Sequence, residues 1–167
     1  MQGISSQNGG MRYILIMIDV FSKSAWAVSV HSNDSKAFTA AFKQVLTAAN
    51  PRHLRRLQTD KGKKFFNSDF QALMKRHDIQ HFASKSEQKA AVVERFNRII
   101  KTRIWTYLTE RGIVRWVDVI QNLVNSSNYF RYRFTGMSPA NVQKKDENRL
   151  WVRHFGNGDT HLKPQIL

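Results

Sequence analysis

The chain has 167 residues, of which 41% are hydrophobic, enough to bury the core of one domain, and its lack of cysteine excludes disulfides and Cys-based zinc sites. Lys and Arg number 27 against 12 Asp and Glu, a net charge of +15, which favours phosphate-bearing partners. Because the sequence has no apolar run of membrane-spanning length and no basic amphipathic segment with a clean apolar face, nucleic acid is favoured over a membrane as partner.

The first part of the chain predicts a β-hairpin. Residues 1–11 are rich in Gly, Ser, Asn and Gln and are typical of a loop. Residues 13–20 predict a strand because isoleucine and aromatic residues dominate them, and a turn at 22–24 leads to a second strand over 25–30. Asp19 lies in the first strand, and we interpret it as a strand-end residue that bonds to the turn rather than as a catalytic acid.

The middle of the chain alternates helices with short strands. A helix is predicted over 36–49, with a polar N-cap from one of Asn33, Asp34 or Ser35. Short strands are predicted over 54–59 and 79–82, on either side of a helix over 68–77. Strands that alternate with helices imply some parallel pairing, so the pattern predicts a mixed α/β fold.

A long basic helix dominates the rest of the chain. It is predicted over 90–110, after a polar stretch at 83–89, and a further helix is predicted over 116–129. Periodicity is weak over 143–167, which we interpret as a linker or the start of another module. The sequence therefore predicts one domain over 1–142.

Two acids occupy positions that suit metal ligands. Asp60 follows a predicted strand and precedes Gly62, and Glu94 lies in the first turn of the long helix, off its apolar stripe. Two such carboxylates can share divalent metal ions, a common device for cutting and joining phosphodiesters. Spacing alone leaves the alternative open that Asp60 is a turn residue and Glu94 an acid favoured by the helix dipole.

Basic residues flank both acids and would hold a phosphate backbone. The predicted DNA-binding residues among them are Lys61, Lys89, Arg95, Arg98 and Lys101. For any single one of these, a solvated surface position is the alternative. The six histidines are dispersed and show no metal-binding spacing, so none is assigned a role.

Four segments, in this order, resemble the catalytic core of retroviral-type integrases, especially those of transposons: 13–23, 57–62, 92–98 and 136–140. The resemblance implies an α/β fold with an RNase H-like mixed sheet flanked by helices. It also implies a D,D,E polynucleotidyl-transferase mechanism with Mg²⁺ or Mn²⁺, in which Asp60 and Glu94 match the second and third catalytic acids. Arg98 and Lys101 match positions where the family contacts DNA. The implied partners are DNA and further copies in a homodimer or higher oligomer, with no small-molecule substrate.

The chain departs from the family at its start. In the family the first catalytic aspartate lies on a central strand that precedes the strand over 13–20, and Met1 resembles the methionine that ends that segment. Asp19 matches a position that is not a metal ligand. We therefore expect that the central strand and its aspartate are missing, and that metal-dependent strand transfer, the reaction of DNA integration, is absent or impaired.

Whether the chain is an enzyme stays open at this point. One alternative is a non-catalytic, basic DNA-binding or oligomerising module. Another is a gene remnant that does not fold alone, because a lost central strand exposes backbone groups of its neighbours. A nuclear location is expected from DNA as the substrate.

Overall fold

A computed structural model describes residues 2–83, 87–133 and 135–155, and these form a mixed α/β fold. Its strands are β1 (Tyr13–Ile18), β2 (Ala25–Val30), β3 (Arg56–Thr59) and β4 (Gln80–Ala83). Its α-helices are α1 (Ser35–Ala49), α2 (Ser68–Arg76), α3 (Glu87–Arg111), α4 (Ile120–Tyr129) and α5 (Glu147–Phe155). None of the helices in the described ranges is both long and apolar enough to cross a membrane.

The strands form two separate two-stranded sheets. β1 and β2 are antiparallel, with Tyr13 opposite Val30 and Ile18 opposite Ala25, so the predicted hairpin is confirmed. β3 and β4 are parallel and are connected through α2, as expected for parallel strands, which need a crossover. Within the described ranges no strand pairs with the second edge of β1 or of β3.

The two sheets share one hydrophobic core on the side of α1 and α2. Leu15 of β1 and Leu57 of β3 are buried in this core with Phe42 of α1 and Phe70 of α2. The rings of Phe42 and Phe70 are 5.2 Å apart between centroids. Because both sheets contribute to one cluster, they lie side by side on the same pair of helices.

A second core lies on the opposite face of the hairpin, under α3 and α4. Ile100 and Ile104 of α3 are fully buried there, together with Trp116. Side chains of β1 alternate between the two cores, and Ile16 packs against the second one. This burial on both faces explains why β1 is an almost continuous apolar run.

Polar side chains cap the starts of two helices, and the cap of the first is one of the predicted candidates. The Asp34 carboxylate accepts a hydrogen bond from the Ala37 backbone N–H at 2.8 Å and begins α1. The Asn67 side chain accepts one from the Phe70 N–H at 3.0 Å and begins α2. Each bond satisfies a backbone donor that the first turn of a helix leaves free.

Other boundaries differ from the predictions. α3 begins at Glu87, inside the polar stretch that was predicted to precede the helix, while residues 84–86 of that stretch lie outside the described ranges. α4 begins only at Ile120, and residues 117–119 form a turn instead of the start of the helix. At the entry to this turn, the Asn8 side chain accepts hydrogen bonds from the backbone N–H groups of Trp116 and Val117.

Residues 2–11 are more ordered than the predicted loop, with short 3₁₀ helices at Gln2–Ile4 and Ser6–Asn8. Near the other end of the described part, α5 places Leu150 and Trp151 in buried positions. The predicted domain boundary at residue 142 stays a prediction, and residues 156–167 lie outside the described ranges.

Candidate metal and nucleic-acid site

Asp60 stands at the carboxyl end of β3 and is exposed. Its Oδ1 atom accepts a hydrogen bond from the backbone N–H of Gly62 at 2.9 Å. A Cβ atom added at position 62 would lie 2.7 Å from that oxygen, closer than real contacts allow. Glycine at this position is therefore what lets the carboxylate fold back over the turn.

His81, to which no role was assigned from the sequence, stabilises the end of β3. His81 Nε2 lies 2.9 Å from Thr59 Oγ1, which in turn donates to the carbonyl of Asp60 at 2.8 Å. The Gln71 amide nitrogen lies 2.8 Å from His81 Nδ1 and donates to the carbonyl of Phe65 at 3.1 Å. Since that nitrogen can only donate, Nδ1 accepts, and neutral His81 carries its proton on Nε2.

His81 is half-buried, and its partial burial lowers its pKa below the usual value of histidine. Its ring stacks on Phe66, with the centroids 4.6 Å apart. Nothing in the local sequence signals this role, because Gln71, His81 and Thr59 meet only when β3, α2 and β4 pack together.

Glu94 lies on the outward face of α3 and lines an open groove of about 430 Å³. The groove is lined by residues that recur every three or four positions along the helix: Glu94, Asn97, Arg98, Lys101, Thr102 and Trp105. Glu94 thus lies off the apolar stripe, as predicted, and shares a face with Asn97, Arg98 and Lys101. The Trp105 side chain is 50% exposed.

Only some of the predicted site residues line this groove. Glu94, Arg98 and Lys101 are among its lining residues, whereas Asp60 and Lys61, which are also exposed, are not. The side chain of Lys89, and all of the neighbouring Lys85, lie outside the described part of the chain.

Arg95 interacts electrostatically with the turn between β1 and β2. Burial lowers the pKa of Lys23 in that turn. The Asp19 carboxylate raises this pKa, whereas the positive charge of Arg95 lowers it further. Arg95 therefore contributes positive charge near the hairpin turn rather than to the lining of the Glu94 groove.

The described residues do not fit a pair of divalent metal ions. Within the described ranges, no three His, Asp or Glu side chains are grouped so that they could hold a metal. Asp60 and Glu94 are both exposed, and one oxygen of Asp60 already accepts the Gly62 N–H. A hard cation takes six or more oxygens, so two carboxylates would leave most of its positions to water or phosphate, which predicts weak binding.

Asp19 has the structural role that we preferred. Its carboxylate accepts hydrogen bonds from the backbone N–H groups of Phe21 and Ser22 and from the Ser22 hydroxyl. Arg52 lies 3.9 Å from it and also donates to the carbonyl of Val142 at 3.0 Å. Arg52, which sequence reasoning missed, therefore connects the hairpin turn to the segment that ends the predicted domain.

Comparison with known proteins identifies the relatives of this chain. The integrase core domain family matches residues 3–89. A transposon-derived protein of Caenorhabditis elegans is 32% identical over 146 residues, which are 87% of this chain and 51% of that protein. The chain thus spans about half the length of this curated relative.

Solved structures show the same fold. The catalytic core domain of HTLV-2 integrase, solved with magnesium in trimeric and dimeric forms, has a TM-score of 0.67 at 21% identity and covers 77% of this chain and 82% of its own. The catalytic core of BIV integrase has a TM-score of 0.67 at 18% identity, with coverages of 83% and 89%. These likenesses confirm the predicted RNase H-like α/β fold.

Proposed function

The chain belongs to the integrase core domain family, and from that membership we propose that it binds DNA through the outward face of α3. The observation that carries the proposal is the groove on α3, in which Arg98 and Lys101 stand beside the exposed ring of Trp105. This face combines the charge and the apolar contact that a phosphodiester chain requires.

The spacing of these side chains suits a phosphate backbone. Arg98 and Trp105 are seven residues apart, so they are separated by about 10 Å along the helix axis. One DNA strand carries a phosphate about every 3.4 Å along the duplex axis, so this face covers about three phosphates. The net charge of +15 supplies the long-range attraction.

For the chemistry, we propose that this chain lacks efficient strand-transfer activity on its own and binds Mg²⁺ or Mn²⁺ weakly. The lack of three grouped His, Asp or Glu side chains within the described ranges supports this. The magnesium complexes of HTLV-2 integrase support divalent metal as the cofactor class of an intact relative.

We also propose that the chain associates with further copies in a homodimer or higher oligomer. The same proposal includes a nuclear location. The trimeric and dimeric forms of the HTLV-2 core support the first of these. A second candidate function, a non-catalytic DNA-binding or oligomerising module, is favoured by the poor fit of the described acids to a metal pair.

The DNA-binding proposal is tested by fluorescence anisotropy with a labelled duplex at several salt concentrations. The double change Arg98→Ala and Lys101→Ala should weaken binding at least about tenfold and reduce the salt slope by about two. Lys75→Ala with Arg76→Ala is the matched control, since it removes one Lys and one Arg from the exposed end of α2. Equal losses in both variants would contradict a binding face on α3.

The chemical proposal is tested by a strand-transfer assay with Mg²⁺ and with Mn²⁺. We expect no joining that depends on Asp60. Efficient joining that Asp60→Asn abolishes would overturn this expectation. A duplex affinity that is unchanged by both Asp60→Asn and Glu94→Gln would favour the non-catalytic module.

A further inference from the structure

Two neighbouring aromatic side chains at the end of α4 are largely exposed. Tyr129 is 71% and Phe130 70% exposed, more than any other large apolar side chain in the described ranges. Single exposed apolar residues are common, but two adjacent aromatic rings in water indicate a contact surface.

The backbone that carries these rings is held in place. The Asn128 side-chain amide accepts from the Ala25 N–H and donates to the Ala25 carbonyl, both at 2.8 Å. The Phe130 N–H closes the helix on the carbonyl of Ser126 at 3.0 Å. A surface that is already ordered loses little conformational entropy on binding.

The chain that follows the rings is equally constrained. Arg131 Nε donates to the carbonyl of Gly136 at 2.8 Å, and the Tyr132 N–H donates to the carbonyl of Met137 at 2.9 Å. Arg133, in the turn that these bonds close, is exposed. The two rings are therefore followed by two exposed arginines, Arg131 and Arg133, on a short turn that is held by hydrogen bonds.

The surroundings of the rings are positive. Residues 119–145 contain no Asp or Glu. Lys23 lies two residues before Ala25, the residue to which the end of α4 is bonded, and both the Asp19 carboxylate and the charge of Arg95 act on it. Like charges held close together raise the local potential and attract anions.

We propose that the surface formed by Tyr129, Phe130, Arg131 and Arg133 binds single-stranded nucleic acid, with bases stacked on the rings and phosphates held by the arginines. Aromatic rings accept any base face, while arginine pairs with phosphate, so this combination suits unpaired strands of any sequence. The inference rests on the proposed DNA-binding function but uses a different surface from the α3 groove.

A second copy of the chain is a poorer occupant of this surface. In a two-fold symmetric contact the same patch meets itself, so the arginines of one copy would face those of the other. Like charges opposed in this way weaken association. Two side chains also provide little of the roughly 800 Å² per partner that a stable interface buries.

The test is anisotropy with a labelled oligothymidylate of about 16 nucleotides, a length that spans one typical site. Tyr129→Ala with Phe130→Ala should weaken binding at least about tenfold with an unchanged salt slope, because stacking releases no counterions. Arg133→Ala should instead lower the salt slope by about one. Because all three side chains are exposed, the variants should keep the wild-type melting temperature.

Matched variants separate stacking from simple hydrophobic contact. Exchange of the two rings, Tyr129→Phe with Phe130→Tyr, should retain wild-type affinity. Tyr129→Leu with Phe130→Leu keeps apolar area but has no aromatic face, and it should bind as weakly as the alanine pair. Wild-type affinity in the leucine or alanine pair would overturn the proposal. A change in the sedimentation of these variants without any loss of oligothymidylate binding would also overturn the proposal. That result would assign the surface to a second copy of the chain.

Parallel measurements distinguish this inference from the proposed function. If Arg98→Ala with Lys101→Ala weakens duplex binding while the ring variants bind oligothymidylate normally, the inference fails and the proposed function stands. If only the ring variants lose binding, the single-strand surface stands and the α3 face does not.

Discussion

The Asn8 side chain makes more hydrogen bonds to distant residues than the sequence around it predicts. Its side chain is 1% exposed and donates to the carbonyls of Ile4 and Val114 at 2.8 Å each. Its side-chain oxygen accepts from the backbone N–H of Trp116 at 2.8 Å and of Val117 at 3.2 Å. One side chain thus joins the first turns of the protein to the connection between α3 and α4.

Replacement of Asn8 by alanine should reduce the free energy of unfolding by about 3 kcal/mol, because buried backbone groups lose their partners. Urea titration measures the loss. Asn33→Ala, which removes an exposed amide, is the control and should shift the midpoint little. Similar midpoints for the two variants would contradict the role of Asn8.

His81 makes stability depend on pH. Since burial lowers its pKa in the folded state, the unfolded chain binds the proton more readily. The contribution of neutral His81 is present above the ordinary histidine pKa of about 6.5 and is lost as pH falls below it. Protonation also places a proton on Nδ1, which then cannot accept from Gln71.

We therefore expect the melting temperature to fall between about pH 7.5 and pH 5.5, with a smaller fall in His81→Asn than in the wild type. Calorimetry at a series of pH values measures both slopes. His31→Asn changes an exposed histidine and should keep the wild-type slope. An unchanged slope in His81→Asn would show that another group is responsible.

At the scale of elements, α4 covers the outer edge of β2 with side-chain amides. Asn128 bonds to both backbone groups of Ala25, and Gln121 Nε2 donates to the carbonyl of Ala27 at 2.7 Å. An uncovered edge strand would present free backbone groups to other chains. The helix therefore completes the hydrogen bonding of a strand whose other edge pairs with β1.

Loss of both amides, in Gln121→Ala with Asn128→Ala, should destabilise the protein by about 2 kcal/mol, since three backbone bonds are lost. It should also speed hydrogen exchange of the Ala25 amide, measured by NMR. Asn122→Ala with Asn125→Ala removes two exposed amides from the same helix and is the matched control. Equal exchange rates in the two variants would contradict the covering role of α4.

For the whole molecule, positive charge opposes compaction. The 27 basic residues outnumber the 12 acidic ones, so most cations have no acidic partner to pair with. Self-repulsion of this kind destabilises the folded state and is reduced by salt.

The melting temperature should accordingly rise as NaCl increases from about 50 mM to about 300 mM, over which the Debye length falls from about 14 Å to about 6 Å. Differential scanning fluorimetry measures the trend. The Lys75→Ala and Arg76→Ala double variant, with two charges fewer, should show a shallower rise. A falling melting temperature would mean that attractive ion pairs outweigh the repulsion.

Local patterns in the sequence were enough to predict the individual elements. The hairpin of β1 and β2, the cap at Asp34 and the outward face of Glu94 could all be predicted, because each depends on residues only a few positions apart. The family resemblance added the fold, since its segments occur in the right order along the chain.

Which distant side chains meet is evident from the folded structure alone. In the folded structure, His81 contacts Thr59, and Asn8 is hydrogen-bonded to the segment before α4. Asp60 is not among the residues that line the groove with Glu94. Sequence periodicity carries no information on such pairs, because their distances follow from how whole helices and sheets pack. Local hydrogen bonds and periodic burial are fixed by neighbouring residues, whereas a site built from separate elements exists only after the chain has folded.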